Sequence, residues 1–160
     1  MEKIAIDDVE TGGMGDADVR RLADPLGTTD VAINHYALEP GERFSGGLHT
    51  HMDQEEVFYV LAGTATFETP ASGSDGEHAS SDEVVVDAGE LIRFAPGEYQ
   101  SGKNAGEEPV RALALGAPKE SEDVRVPETC RDCGHENMRF IPGEDGFTLV
   151  CPECGTEVDA

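Results

Sequence analysis

At 160 residues and 38% apolar side chains, the chain has room for one ordinary domain of roughly 100 to 150 residues plus a small module, and too much to bury to remain disordered. Its 34 acidic residues against 11 basic ones give a net charge of −23, which argues against gripping a phosphate backbone, where affinity depends on Lys and Arg. No apolar run approaches the roughly 18 residues that span a bilayer, and MEKIAIDDVE is neither a basic nor an apolar leader, so a soluble, cytoplasmic protein is expected.

The acidic residues occur in every part of the chain, and the lysines are only Lys3, Lys103 and Lys119. Such an even acidic surface reads as halophilic rather than as a docking patch. Concentrated salt screens the self-repulsion that would otherwise loosen the fold.

Taken in chain order, residues up to about 116 alternate short β-rich runs with Gly, Pro and acidic turns. Candidate strands are 3–7, 31–38, 55–61, 64–68, 83–87, 91–95 and 110–115, rich in Val, Ile, Phe, Tyr and Leu. Residues 19–23 fit one helical turn or an outer strand, and five residues do not decide between them. Glu39-Pro40-Gly41-Glu42 is a tight turn in which Pro pre-sets φ. Residues 69–82, small and polar, read as a flexible loop with a solvated His78. The expectation is an all-β antiparallel barrel or jelly roll over residues 1–116, a charged linker over 117–128 bounded by Pro118 and Pro127, and a 32-residue module over 129–160. A module that small needs a bound metal to fold.

Within the β-rich part, His49-Thr50-His51 is followed by Glu56 and Gly63, and later by Gly89, Gly97, Gln100 and Asn104. Histidines two apart on a strand share a face, and a carboxylate from the next strand can meet them. These two stretches resemble the paired metal-site motifs of the cupin family, over about residues 30–116. Counting back from Gly63 selects Glu56 over Glu55. Gly41 lies seven residues before His49 where the motif has five, and Pro96 is displaced by one. The last histidine of the second motif is replaced by Gln100.

The resemblance implies a metal site of His49, His51 and Glu56 with Gln100 as fourth ligand. Two imidazoles and a carboxylate suit Fe, Mn, Ni, Co or Zn and leave positions open for water, substrate or oxygen. A neutral amide oxygen in place of an imidazole favours harder ions. Glu98, if residues 98–100 are extended, shares a face with Gln100 and competes for the metal or acts as a base. His35, Tyr36, Phe58, Tyr59, Arg93, Phe94 and Arg111 lie on candidate strands, with Phe58 on the Glu56 face and Tyr59 opposite. An inward arginine would favour an anionic substrate, and pairing with surface carboxylates is the alternative.

Cys130, Cys133, Cys151 and Cys154 form two CxxCG pairs separated by 17 residues, the spacing of a four-cysteine structural zinc site in a zinc ribbon. Iron in a rubredoxin-like site is the alternative occupant. His135 is surplus to the cysteine set. Residues 128–160 hold two arginines against eight acids, so protein contact or stabilisation is expected of this module rather than nucleic-acid binding.

The resemblance implies a metal-dependent enzyme, an oxygenase, isomerase or lyase acting on a small molecule. The alternative is a non-catalytic small-ligand sensor whose ribbon contacts a protein partner. Cupin domains often pair through open strand edges, so a homodimer is expected.

Overall fold

The computed structural model describes residues 1–12, 17–70, 81–143 and 146–159. Most of the loop expected over 69–82, His78 included, lies outside the described residues, as do Glu144 and Asp145. In chain order the elements are β1 (Asp18–Arg21), a helical turn α1 (Ala23–Leu26), β2 (Ala32–Leu38), β3 (Thr50–His51), β4 (Glu55–Ala62), β5 (Thr64–Pro70), β6 (Ser81–Asp87), β7 (Leu91–Phe94), β8 (Ser101–Lys103) and β9 (Val110–Ala117). Beyond these come β10 (Val124–Val126), β11 (Met138–Pro142), β12 (Phe147–Val150) and β13 (Glu157–Asp159).

All strand pairing is antiparallel, in three sheets with orders β1-β2-β9-β4-β7, β6-β5-β8 and β13-β12-β11-β10-β3. The first two sheets face each other as a jelly-roll sandwich, and no sheet closes into a barrel. Alternation places Phe58 and Val60 of β4 and Val110, Ala112 and Ala114 of β9 on the inner face, against Ala65 and Phe67 of β5. Phe44 sits at the centre of the sandwich, with ring centroids 5.1 Å from Tyr36, 5.2 Å from Phe58 and 5.5 Å from Phe67. Gly102 is a glycine because a Cβ there would lie 2.5 Å from Phe67 and 2.7 Å from Phe44.

The inner face is not filled evenly. Register aligns Ala32, Gly116 and Glu56 in one row and Asn34 and Ala114 in the next, so side chains shrink towards the end of the sheet where Glu56 stands. A cavity of about 310 Å³ occupies that end, with His49, His51, Tyr36 and Glu56 in its wall.

The expected strand at 3–7 is absent. Residues Ile6–Asp8 form a 3-10 turn instead, and the Ile6 carbonyl accepts from the Arg20 guanidinium at 3.0 Å. Residues 19–23 supply both alternatives, since β1 ends at Arg21 and α1 begins at Ala23 and is stopped by Gly27 at φ 68°. The stretch expected as linker carries β10, which pairs with β3 on one side and with β11 on the other. Among the described residues, no helix is long and apolar enough to cross a membrane.

Candidate metal centres

His49 and Gln100 exchange both backbone hydrogen bonds, N to O at 3.1 Å and 2.9 Å, which brings the two sequence motifs together. His51 follows two residues on, on the same face, and the next strand supplies Glu56. Ligand-capable atoms of His49, His51 and Glu56 all lie within 4.8 Å of one another.

Hydrogen bonds on the outer nitrogens set both imidazoles. His49 Nδ1–H donates to the Gly47 carbonyl at 2.9 Å, with Ser45 Oγ at 3.3 Å. Ser121 donates its hydroxyl proton to Asp53 Oδ1 at 2.7 Å, so its oxygen accepts from His51 Nδ1–H at 2.9 Å. Both Nε2 atoms are therefore lone-pair donors turned inward. Burial pushes the His51 pKa down, which keeps the ring neutral and ready to ligate. His51 Nε2 stands 3.6 Å from Glu56 Oε2. Two imidazole nitrogens with lone pairs and a carboxylate facing one another form a cluster of Lewis bases that could hold a divalent cation.

Gln100 closes the fourth side and is 2% exposed. Its Nε2 lies 3.3 Å from His49 Nε2 and donates to Glu56 Oε2 at 3.0 Å, while its Oε1 is buried without a partner. Turning the amide over would direct the oxygen at the cluster, so the same side chain serves as donor to Glu56 or as ligand.

The other sequence candidates lie elsewhere. Glu98 is exposed where Gln100 is buried, and its carboxylate accepts from the Ala95 amide at 2.6 Å, capping the turn at Gly97 (φ 87°) rather than facing the cluster. Glu55 points outward and pairs with Arg93 at 2.7 Å, and Arg111 is exposed. His35 is buried in the β1–β2–β9 packing, away from the cluster, with its Nδ1 unpartnered. Asn104 is structural: its amide donates to the Leu38 and Glu108 carbonyls at 3.0 and 2.9 Å and accepts from Gly106 N at 3.0 Å.

The cavity adds groups that the sequence motifs do not mark. Tyr36 lines it, and its hydroxyl makes no hydrogen bond among the described residues. Burial, with Glu56 adding to it, pushes its pKa up to about 12, so the hydroxyl keeps its proton. Gln54, 6% exposed, packs on Gly116 and donates to the Pro118 carbonyl at 2.6 Å, which ties the segment after β9 across the cavity. Lys119 is held there by Asp24 at 2.6 Å and the Thr28 carbonyl at 3.1 Å. Ser121, Asp53 and Gln54 carry no local signal, because their partners are 64 to 70 residues away in the chain.

Residues 34–116 match the family described as Cupin domain. The chain belongs to the cupin family. A sugar phosphate isomerase of Silicibacter pomeroyi, described as from a cupin superfamily, is similar over 98% of this chain and 92% of its own, at 19% identity and a TM-score of 0.61. An uncharacterised conserved protein of Klebsiella pneumoniae with a double-stranded beta-helix domain aligns over 76% of this cupin chain and 93% of its own, at 19% identity and a TM-score of 0.57. The oxalate decarboxylase of Lactobacillus farciminis aligns over 72% of this chain and 32% of its own, at 18% identity and a TM-score of 0.58. At these identities the likeness is one of fold. No curated protein sequence matches the chain.

The cupin's C-terminal ribbon builds the second centre. Cys130 and Cys154 approach to 3.6 Å and Cys133 and Cys151 to 3.5 Å. The two knuckles repeat one backbone pattern: Cys130 N bonds His135 O and Gly134 N bonds Cys130 O, while Cys151 N bonds Thr156 O and Gly155 N bonds Cys151 O. Gly134 and Gly155, at φ 75° and 77°, make the left-handed bend that a side chain would strain. Amides of Cys133 and Asp132 aimed at the Cys130 sulfur lower its thiol pKa to about 6. The four sulfurs could hold a metal ion as a complete set of thiolates, and His135 turns instead to Asn137 Oδ1 at 3.3 Å.

Proposed function

We propose that this cupin is a metal-dependent enzyme acting on a small molecule in the cavity beside His49, His51 and Glu56, as an oxygenase, isomerase or lyase, and that the four-cysteine ribbon holds a structural zinc. The observation that carries the reading is the convergence of two inward imidazole nitrogens and a carboxylate on the wall of a cavity that Tyr36 also lines. His49, His51 and Glu56 would hold the cation, with the Gln100 oxygen as a fourth donor. When bound, a divalent metal polarises a substrate oxygen or activates water or oxygen.

The remaining steps fall to the chain's own groups. The Tyr36 hydroxyl, protonated and free of partners, donates a hydrogen bond to a substrate oxygen and is placed to deliver a proton there. Gln54 and the segment it holds exclude water from one side. Until the Gln100 amide turns its oxygen to the cation, its Nε2–H keeps Glu56 oriented through a 3.0 Å hydrogen bond. Ala32, Ala114 and Gly116 leave the room, and about 310 Å³ suits a compact polar molecule.

The test is anaerobic loading with Fe(II) followed by nitric oxide. An iron–nitrosyl EPR signal that broadens or shifts in Tyr36→Phe supports an exchangeable position facing the cavity. Bound iron that gives no nitrosyl signal contradicts an enzyme. The second reading, a ligand sensor that reports through its ribbon, is favoured by one observation, the pairing of β10 with the strand that carries His51.

A further inference from the structure

The ribbon is joined to the cupin metal site at its most sensitive point. Among the described residues β3 has one strand partner, β10, in the register Val124↔His51 and Arg125↔Thr50, while on its other edge the His51 carbonyl accepts from Gly97 N at 2.9 Å. Met52 N donates to the Asp123 carbonyl at 2.8 Å, extending that pairing past His51. Immediately before β10, Ser121 takes the His51 Nδ1 proton into a hydrogen bond at 2.9 Å. Asp53 then fixes Ser121 from the other side, accepting its hydroxyl at 2.7 Å and the Glu122 amide at 2.7 Å.

The opposite edge of β10 belongs to the ribbon. Val126 pairs with Met138 and Arg125 with Arg139 on β11. Met138, 1% exposed, packs with Cys130, Cys151 and Leu149 in the small core beneath the cysteines. The Asp123 carboxylate bonds Arg125 at 2.7 Å and Arg139 at 3.1 Å, crossing from β10 to β11. A continuous path of packed and hydrogen-bonded groups therefore runs from Cys130 and Cys151 through Met138 and β10 to Ser121 and His51.

We propose that Ser121 is a positioning residue for His51, and that zinc in the four-cysteine ribbon, by holding β10 in place, raises the cation affinity of the His49, His51 and Glu56 site. This rests on the metal-site reading above. The ribbon has too little apolar core to keep its shape without its metal. Without zinc, Met138 and β11 lose their support and β10 loses one of its two neighbours. Ser121 and β10, the strand paired with β3, are then free to move, and His51 loses the outer hydrogen bond that sets its tautomer and ring orientation. Such outer partners are typically worth about 10- to 100-fold in metal affinity. The coupling is reciprocal, so cation in the cupin site tightens zinc in the ribbon by the same factor.

Mn(II) is a suitable probe, because a hard ion does not compete for thiolates. Its affinity would be titrated by EPR on zinc-containing wild type, Ser121→Ala, Ser121→Thr and Cys151→Ser. Expected are a loss of about tenfold or more in Ser121→Ala, recovery in Ser121→Thr, which keeps the hydroxyl, and a loss in the same direction in Cys151→Ser. Hydrogen exchange at the Met52 amide reads the joint directly and should accelerate in Cys151→Ser and not in Ser121→Ala. Wild-type affinity in Ser121→Ala overturns the positioning role. Wild-type affinity and Met52 protection in Cys151→Ser overturn the coupling to zinc. Should Cys151→Ser lose the fold altogether, zinc removal and restoration on reduced wild type carries the same two readouts. Zinc-loaded wild type that binds no Mn(II) at all overturns the metal-site reading itself, a result distinct from the other two.

Discussion

His49 Nε2 and Gln100 Nε2 lie 3.3 Å apart, above a backbone pair that the same two residues close with hydrogen bonds of 3.1 and 2.9 Å. The position at which the cupin motif has its last histidine therefore faces the first one, with an amide in place of an imidazole. Gln100→His should complete a set of three imidazoles and a carboxylate and tighten Ni(II) binding by about an order of magnitude, with a smaller gain for Mn(II). Isothermal titration checks this. Unchanged or weaker Ni(II) affinity would show that residue 100 does not reach the metal.

Gly102 tests the packing of the sandwich beneath the site. A methyl there would press on Phe67 and Phe44 at 2.5 and 2.7 Å, and both rings are buried by several others. Overpacking of this kind costs about 1 to 3 kcal/mol. Gly102→Ala should accordingly lower the midpoint of chemical denaturation, and a midpoint equal to wild type would mean the rings yield freely.

Much of this architecture was legible in the sequence, and the parts that were not share a physical cause. Runs such as 55–61 and 110–115 read as strands because Val, Phe, Tyr and Leu cluster there between Gly, Pro and acidic turns, and β4 and β9 extend them by only one or two residues. The histidine pair, Glu56 and Gln100 were legible because their spacing is local. β10 was hidden: three residues in a charged, proline-bounded stretch have no periodicity, and only their partners β3 and β11 make them a strand. Ser121 and Asp53 were hidden for the same reason, since the contact that gives them a role is 68 residues long. Residues 3–7 had strand composition but find no strand partner among the described residues, and composition alone does not make a sheet.

The joint between ribbon and cupin sandwich should weaken in acid. Hydrogen bonding from Arg125, with Arg139 beside it, lowers the Asp123 pKa from the usual 3.8 to about 2. A carboxyl depressed on folding contributes its full stability above about pH 4 and loses it as the pH falls through 4 towards 2. Its partial exposure limits the effect to about 1 kcal/mol. Asp123→Asn should remove that pH-dependent component, measured as the difference in denaturation midpoint between pH 5 and pH 2.5 on the two proteins. An identical pH dependence in both would contradict the assignment.

A net charge of −23 predicts a salt-dependent fold. Raising ionic strength from 0.1 to 1 M shortens the screening length from about 10 Å to about 3 Å and relieves repulsion among surface carboxylates. Thermal unfolding followed by circular dichroism should show Tm climbing steadily with NaCl, more than for a protein of balanced charge. A Tm indifferent to salt would count against a halophilic surface.

The most direct test of the central reading is metal content, measured on protein purified in high salt without chelator, for wild type, His49→Ala and Cys151→Ser. Wild type should carry two metals, zinc and a second divalent ion. His49→Ala should lose the second while keeping zinc, and Cys151→Ser should lose zinc. A wild type with one zinc, lost only in Cys151→Ser, and no second metal that His49→Ala removes, would contradict the proposal that His49, His51 and Glu56 form a working metal site.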